Sequence, residues 1–283
     1  MVRASVLRFW VQEGVTEAAG DVEAVQGALR LWARGLRHDS RTGEVTADGP
    51  VSLQRPGVRA TGRRLAASLA GKHAAIVGEA TLVHGGAAGA IDQETTIAAR
   101  RLVIRWDVDA VEAHDGVVVR QRDRKAWADR VVYAEPRDWL VLTGRVVVEQ
   151  GAAARPAPGG LSAPGRAADL TEADGRPDPG ALPAPGVTRI YCTELVVTGR
   201  GARLDATGPV TVLQHDRRAT GARAIYSEPD RVLVLTGDVH VQEIGGRRLR
   251  ADRVVVSLAD DTLEAEGDVQ TEFVIRPGSA ARP

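Results

Sequence analysis

The side chains of this 283-residue chain that could ligate a metal, move a proton or attack a carbon are few and scattered. Six histidines, His38, His73, His84, His114, His215 and His240, stand singly, without the spacing that would bring two imidazoles to one metal. In "WDVD", Asp107 and Asp109 could offer two carboxylates to a cation, but a solvated turn at a strand edge is the simpler reading. His215-Asp216 likewise reads as a turn after a strand. A single cysteine, Cys192, excludes an internal disulfide and a multi-cysteine metal site. It falls where related segments carry Ala or Gly, so it reads as a buried structural thiol rather than a nucleophile. No nucleophile elbow, phosphate-binding loop or His-Glu-x-x-His helix occurs. The expectation is a protein with no catalytic residues, no metal and no cofactor.

Arginine is the one reactive type with a pattern. Arg64, Arg101, Arg130, Arg223 and Arg253 recur at a fixed place relative to the repeats described below. Guanidinium suits bidentate phosphate contacts, yet a column of arginines on a strand surface is more simply a solvated face paired with Asp and Glu, and that reading is favoured.

Composition sets the frame for these residues. There are 37 basic and 37 acidic residues, so no global field recruits nucleic acid or an anionic membrane. Lys72 and Lys125 are the two lysines; every other basic residue is arginine. Aromatic residues make up 4%, and Ala, Val and Leu carry the apolar content. No stretch approaches 18 consecutive apolar residues. The N-terminal "MVRASVLRFWVQEG" lacks the apolar core and cleavage site of a secretion signal.

A repeat supplies the elements. "WLVLTGRVVVEQ" (Trp139 to Gln150) returns as "VLVLTGDVHVQE" (Val232 to Glu243), each preceded by a segment like "ADRVVY". From a small anchor residue to a glycine there are sixteen positions, and this spacing finds eight copies. The anchors are Ala4, Ala33, Gly62, Ala99, Ala128, Cys192, Gly221 and Ala251. The matching positions are Gly20, Gly49, Gly78, Asp115, Gly144, Gly208, Gly237 and Gly267. Successive copies lie 29 or 30 residues apart except for steps of 37 and 64. The first holds an insertion near His84 to Asp92. The second holds a Pro/Gly/Ala-rich stretch, 151–186, expected to be a disordered or extended loop within one architecture.

Each copy reads as two strands. In the glycine-bearing strand Leu140, Leu142, Gly144, Val146 and Val148 alternate with Val141, Thr143, Arg145 and Val147, the period of a half-buried strand. In the anchor strand, apolar positions such as Leu31 and Leu249 precede the anchor by two, and others such as Leu65, Val131 and Val254 follow it by three. Strict alternation would set these on opposite faces, so a β-bulge is expected at the intervening polar pair, for example Asp129-Arg130. The fold class is therefore all-β, with about 16 strands from eight two-strand repeats. The inward set of small anchors and glycines admits two readings: tightly approached sheets with glycines at bends, or a gap between sheets that takes something apolar and flexible.

The strings "ADRVVY…LVLTGRVVVEQ", "LRADRVVVSLADDTLEAEGDVQ" and "AAGDVEAVQGALRLWA" resemble the LptA/OstA-like family of periplasmic lipopolysaccharide-transport proteins, over nearly all of the chain outside the long insertion. The resemblance implies a twisted, open β-jellyroll of two facing antiparallel sheets. It also implies a groove shielding lipid A acyl chains, and head-to-tail stacking with further Lpt-type jellyrolls, or copies of itself, through edge strands that bridge inner and outer membrane. The partner is lipopolysaccharide or a related glycolipid. A soluble bridge fits better than the family's membrane-anchored or barrel-bearing members. Carried onto this sequence, the groove lining is expected from Leu102, Ile104, Val117, Val119, Val131, Tyr133, Leu140, Leu142, Val146, Val148, Leu195, Val210, Val212, Tyr226, Leu233, Leu235, Val239, Val241, Val254 and Val256. The expected organisation is five repeats over 1–150, the loop 151–186, three repeats over 187–276 and a tail 277–283. Asp115 in place of glycine departs from the pattern. The rival expectation is a β-solenoid filament with a dry, solid core and no lipid; a carbohydrate-active β-sandwich enzyme lacks any paired-carboxylate constellation.

Overall fold

The alternation of the repeat is realised as strands throughout. In a computed structural model the described residues are 1–85, 94–121, 123–134, 139–151, 175–199, 201–260 and 262–272. They form β1 (Val2–Arg3), β2 (Val6–Trp10), β3 (Val15–Gln26), β4 (Leu29–Asp39), β5 (Glu44–Arg55), β6 (Val58–Ser68), β7 (His73–His84), β8 (Thr95–Arg105), β9 (Ala110–Gln121) and β10 (Arg124–Ala134). There follow β11 (Trp139–Gln150), β12 (Thr188–Thr198), β13 (Arg203–Leu213), β14 (Arg217–Ser227), β15 (Val232–Glu243), β16 (Arg248–Ser257), β17 (Thr262–Glu266) and β18 (Gln270–Glu272). The protein is all-β, an antiparallel meander in which each strand from β3 to β16 pairs with the strands before and after it. The sheet is open: among the described residues no pairing joins its first strands to its last.

Sixteen strand positions become eighteen strands because both edges are broken at the repeat's bend. β1 and β2 pair with successive parts of β3, and β17 and β18 with successive parts of β16. β11 pairs directly with β12 through Leu142↔Leu195 and Val146↔Cys192, so the ladder continues across the long insertion. The readings made for 86–93, for 152–174 and for the tail beyond 272 lie outside the described residues.

A bend crosses the middle of nearly every strand, and the expected bulge is its cause. Between the pairs Trp127↔Val147 and Arg130↔Thr143, β10 advances by three residues and β11 by four. In β10 the buried residues Ala126, Ala128 and Val131 therefore share one face although Ala128 and Val131 are three apart, with Asp129 and Arg130 turned out between them. In β11 three residues, Thr143, Gly144 and Arg145, turn outward before Val146 returns to the interior. The anchors Ala33, Ala99, Ala128, Cys192 and Ala251 are all buried, as the inward reading required.

The glycines are a correction to that reading. Gly144 and Gly237 belonged to the inward alternation, but both are exposed on the outer side of the bend, at φ +97° and +83°. The backbone reverses its curvature there through the left-handed region, where a β-carbon is disfavoured. Asp115, the exception in sequence, adopts φ +65° at the same place, and Asp is among the few non-glycine residues that tolerate it.

The line of bends folds the sheet onto itself. The apolar faces of both halves merge in one cluster running from Ala18 to Val256, and no polar or charged residue is buried among the described residues. The closing contacts lie at the strand ends. Arg55 of β5 meets Asp109 of the β8–β9 turn at 3.4 Å, and the ring of His84 at the end of β7 lies 5.2 Å from that of Tyr133 in β10. Arg124 at the start of β10 reaches Gly201 and Glu228, either side of β13 and β14. Each contact joins one rim of the sheet to the other rim three to four strands further on, so the two layers are staggered by the sheet's twist.

Candidate functional site

The twenty candidate lining residues all fall on the inner surface, and the structure gathers them in its middle and C-terminal part. Leu102, Leu142, Leu235, Val239 and Val254 are wholly buried, with Val117, Val131, Val146, Leu195 and Val210 scarcely less so. Ile104, Val119, Val148, Val212, Tyr226, Leu233, Val241 and Val256 are buried nearer the rims, and Tyr133 and Leu140 are half-buried against the same cluster. Side chains from both halves of the sheet join there in one apolar cluster.

Open space lies elsewhere. A cavity of about 560 Å³ sits between the layers at the N-terminal end. Its walls come from the first copies: Leu7 and Phe9 of β2, Leu29, Leu31 and Leu36 of β4, Val45 and Leu53 of β5, and Leu65 of β6, with Leu69 and Trp106 closing one side. Thr16, Gln26 and His38 are its polar side chains. The stagger explains its place. The first strands of one layer have no strand of the other above them, so Phe9 remains 65% and Leu7 40% exposed although both point inward. None of these residues was among the twenty candidates. The signal was present, since Leu36, Leu53 and Leu65 occupy register positions equivalent to the candidates, but the early copies match the repeat more weakly.

At the bends, charge lies on the outer side. Arg64 pairs with Asp48, Arg130 with Glu112, Arg223 with Asp205 and Arg253 with Glu266, each on a neighbouring strand. The arginine column is thus largely a paired, solvated rail. The hydrogen bond from Arg223 holds the Asp205 carboxyl below its ordinary range against the opposing effect of burial. At Asp129 burial pushes upward, but hydrogen bonds from the Arg145 side chain and backbone and from Arg176 outweigh it and hold the carboxyl low. Cys192 is 6% exposed at its anchor position, and burial pushes its thiol up to about 12; it is not an activated nucleophile.

The outer face carries one apolar cluster that sequence reasoning missed. Val118, Trp127 and Val147 lie on adjacent strands with Tyr191 packed beside them, and the Trp127 indole Nε1 has no hydrogen-bond partner. Residues 175–186 lie along this region. Arg176 contacts Asp129 at 3.2 Å, the Tyr191 hydroxyl donates to the Asp178 carbonyl at 3.0 Å, and Arg189 donates to the Ala181 carbonyl at 3.2 Å. Tryptophan and valine at outward positions were the available signal.

Among the described residues no three His, Cys, Asp or Glu side chains are placed to hold a metal ion. His114 lies by Glu112, His240 by Asp238 and His84 by Tyr133, at separate sites. Asp107 and Asp109 occupy a turn and face Arg105 and Arg55 respectively. Among the described residues no helix is long and apolar enough to cross a membrane.

Strand pairs repeated eight times, each bent at the line marked by seven glycines and Asp115 and folded over an apolar interior, define an open β-jellyroll with an apolar cavity at one end. The chain matches the family described as LptA/(LptD N-terminal domain) LPS transport protein over residues 2–155, more than half its length, and it belongs to that family. Among solved structures it is similar to LptH, the LptA homologous periplasmic component of the conserved lipopolysaccharide transport device from Pseudomonas aeruginosa. The identity there is 18% and the TM-score 0.36, with 41% of this chain and 81% of that chain covered. No curated protein matches.

Proposed function

We propose that the protein is a non-enzymatic periplasmic carrier of lipopolysaccharide that shields lipid A acyl chains between its two layers while the sugars stay in water. The observation that carries this reading is the apolar cavity of about 560 Å³ walled by Leu7, Phe9, Leu31, Leu36, Val45 and Leu53, within the size of known ligand pockets. Each acyl methylene moved from water into it gains roughly 0.8 kcal/mol. The twenty candidates, eighteen of them buried, extend the same apolar surface toward the C-terminal end, so chains seated at the N-terminal cavity would continue along them.

Partners would meet the carrier at its sheet edges. β2 is wholly exposed and bears Val6, Leu7, Phe9 and Trp10 on an edge with unpaired backbone groups, and such an edge is a template for another strand. The opposite edge, β17 and β18, is polar. A bridge built from such units, of this chain or of other Lpt-type jellyrolls, would run between the two membranes.

The rival reading, a filament unit with a solid core, draws on the filled middle. A photo-crosslinking residue at Val45, in cells that make lipopolysaccharide, separates the two. The carrier yields a lipopolysaccharide adduct at Val45 and none at the outward Thr46. An absence of adduct at Val45 and at Leu235 alike would sink the carrier and leave the filament.

A further inference from the structure

The middle of the interior is sealed along the side where the jellyroll is open, and the seal is polar. We propose that Arg124 is the latch of a seam that parts sideways to admit an acyl chain to the buried middle. This rests on the carrier reading but has a readout of its own.

Arg124 begins β10 on one rim. Its guanidinium crosses to the other rim, donating to the Gly201 carbonyl and to the Glu228 carboxylate, which are 77 and 104 residues away in sequence. The Gln150 side chain adds a second span, donating to the same carboxylate at 3.4 Å. The Arg124 side chain is 13% exposed and Glu228 47%, so the pair is half withdrawn from water. The guanidinium also lies 5.9 Å from the ring centre of Tyr226, and Arg124 Nε is buried without a partner.

Two features make this a latch rather than part of the core. Backbone ladders run within each layer, and nothing in the strand pairing joins Arg124 to β13 or β14. The rims are therefore held by side chains, whose loss leaves every strand pair intact. The interior cluster is apolar, with no polar or charged residue buried among the described residues, and such packing is non-directional and can part and re-form.

Cys192 serves as the reporter, because it sits in the interior cluster and is 6% exposed. In the intact chain the rate of Cys192 labelling by a maleimide dye measures parting of the seam without any lipid. Removing one charge-assisted hydrogen bond should raise that rate about tenfold. Glu228→Gln should do so, and Arg124→Gln at least as much, both with the shallow urea dependence of local opening. Should Arg124→Gln fail to fold, Glu228→Gln carries the test from the exposed side of the pair. A reducible bis-methanethiosulfonate linker, which forms a disulfide with each thiol and releases methanesulfinate, joining Gln150→Cys to Glu228→Cys should slow Cys192 labelling below the parent rate, and its reduction should raise the rate above the parent's, since the Glu228 carboxylate is then missing.

Unchanged rates in these variants would overturn the latch, as would faster labelling with the steep urea dependence of global unfolding. A lipopolysaccharide adduct at Val45 alongside unchanged Cys192 labelling would defeat the latch alone. Absence of the adduct at both positions would defeat the carrier.

Discussion

Gly144 and Asp129 meet across the bend between β11 and β10: a β-carbon on Gly144 would lie 2.5 Å from Asp129 Oδ2 and 2.7 Å from its Cβ. The Asp129 carboxylate takes that space and accepts a hydrogen bond from the Arg145 backbone N–H at 3.0 Å. The bend glycine thus leaves room for a neighbouring acid that ties down the next residue.

Gly144→Ala adds both a clash and a left-handed alanine. Gly27, at φ +59° with nothing within 4 Å of its would-be β-carbon, isolates the second effect. Gly27→Ala should cost the backbone strain of roughly 1–2 kcal/mol. Gly144→Ala should cost at least about 1 kcal/mol more, since the Asp129 Cβ cannot swing away as a flexible tip could. Chemical denaturation of the two variants checks this, and equal losses would refute the close-approach argument.

Asp129→Asn should make the protein less sensitive to acid. The folded carboxyl is held below its ordinary value of 3.8. Its contribution is therefore present above that value and disappears as pH falls through the folded value. The Asp129 side chain is 42% exposed, so solvent screening limits the effect to roughly 0.5 kcal/mol. Parent and variant should differ by that amount at pH 7 and converge near pH 2, measured by denaturant midpoints. A constant difference across pH would show that the charge is not the cause.

Cys192 should resist thiol reagents in the native state near pH 8 and react promptly on unfolding. The folded pKa of about 12 exceeds the thiol's ordinary value of 9.0, so above pH 9 the unfolded chain loses its proton while the folded chain keeps it. Stability should fall across that window, and Cys192→Ala should remove this part of the alkaline loss. Fast native labelling at pH 8 would contradict the buried position.

The interior should prove filled in the middle and loose at the N-terminal end. Leu235 is wholly buried, and Leu235→Ala should cost about 2–5 kcal/mol in transfer and cavity terms. Leu7, 40% exposed over the cavity, should cost below about 1 kcal/mol on the same change. Comparable losses would mean that the cavity collapses in solution.

The sequence carried the fold further than the site. Period-two alternation in Leu140 to Val148 placed Leu142, Val146 and Val148 inside, and the three-residue step from Ala128 to Val131 announced the bulge. Gly144 misled because alternation treats all residues alike, whereas its left-handed backbone takes it out of register with the wall. The rims were not legible. Arg124 meets Glu228 across 104 residues, and that distance is set by the accumulated twist of the sheet, which no local pattern encodes. The cavity escaped for the same reason: Leu31 and Leu142 read alike, and only the stagger leaves one beside a void and the other enclosed.

That stagger ties capacity to copy number. Because a rim meets its opposite three to four strands later, the opening strands of one layer and the closing strands of the other have nothing facing them, whatever the chain's length. Two copies of the repeat would yield two half-walls and no tunnel at all. Every copy beyond that threshold lengthens the roofed section by its full pair of strands, so eight copies enclose more than twice the length that four would. Duplication is then an economical way to lengthen a conduit while its unroofed ends stay the same size.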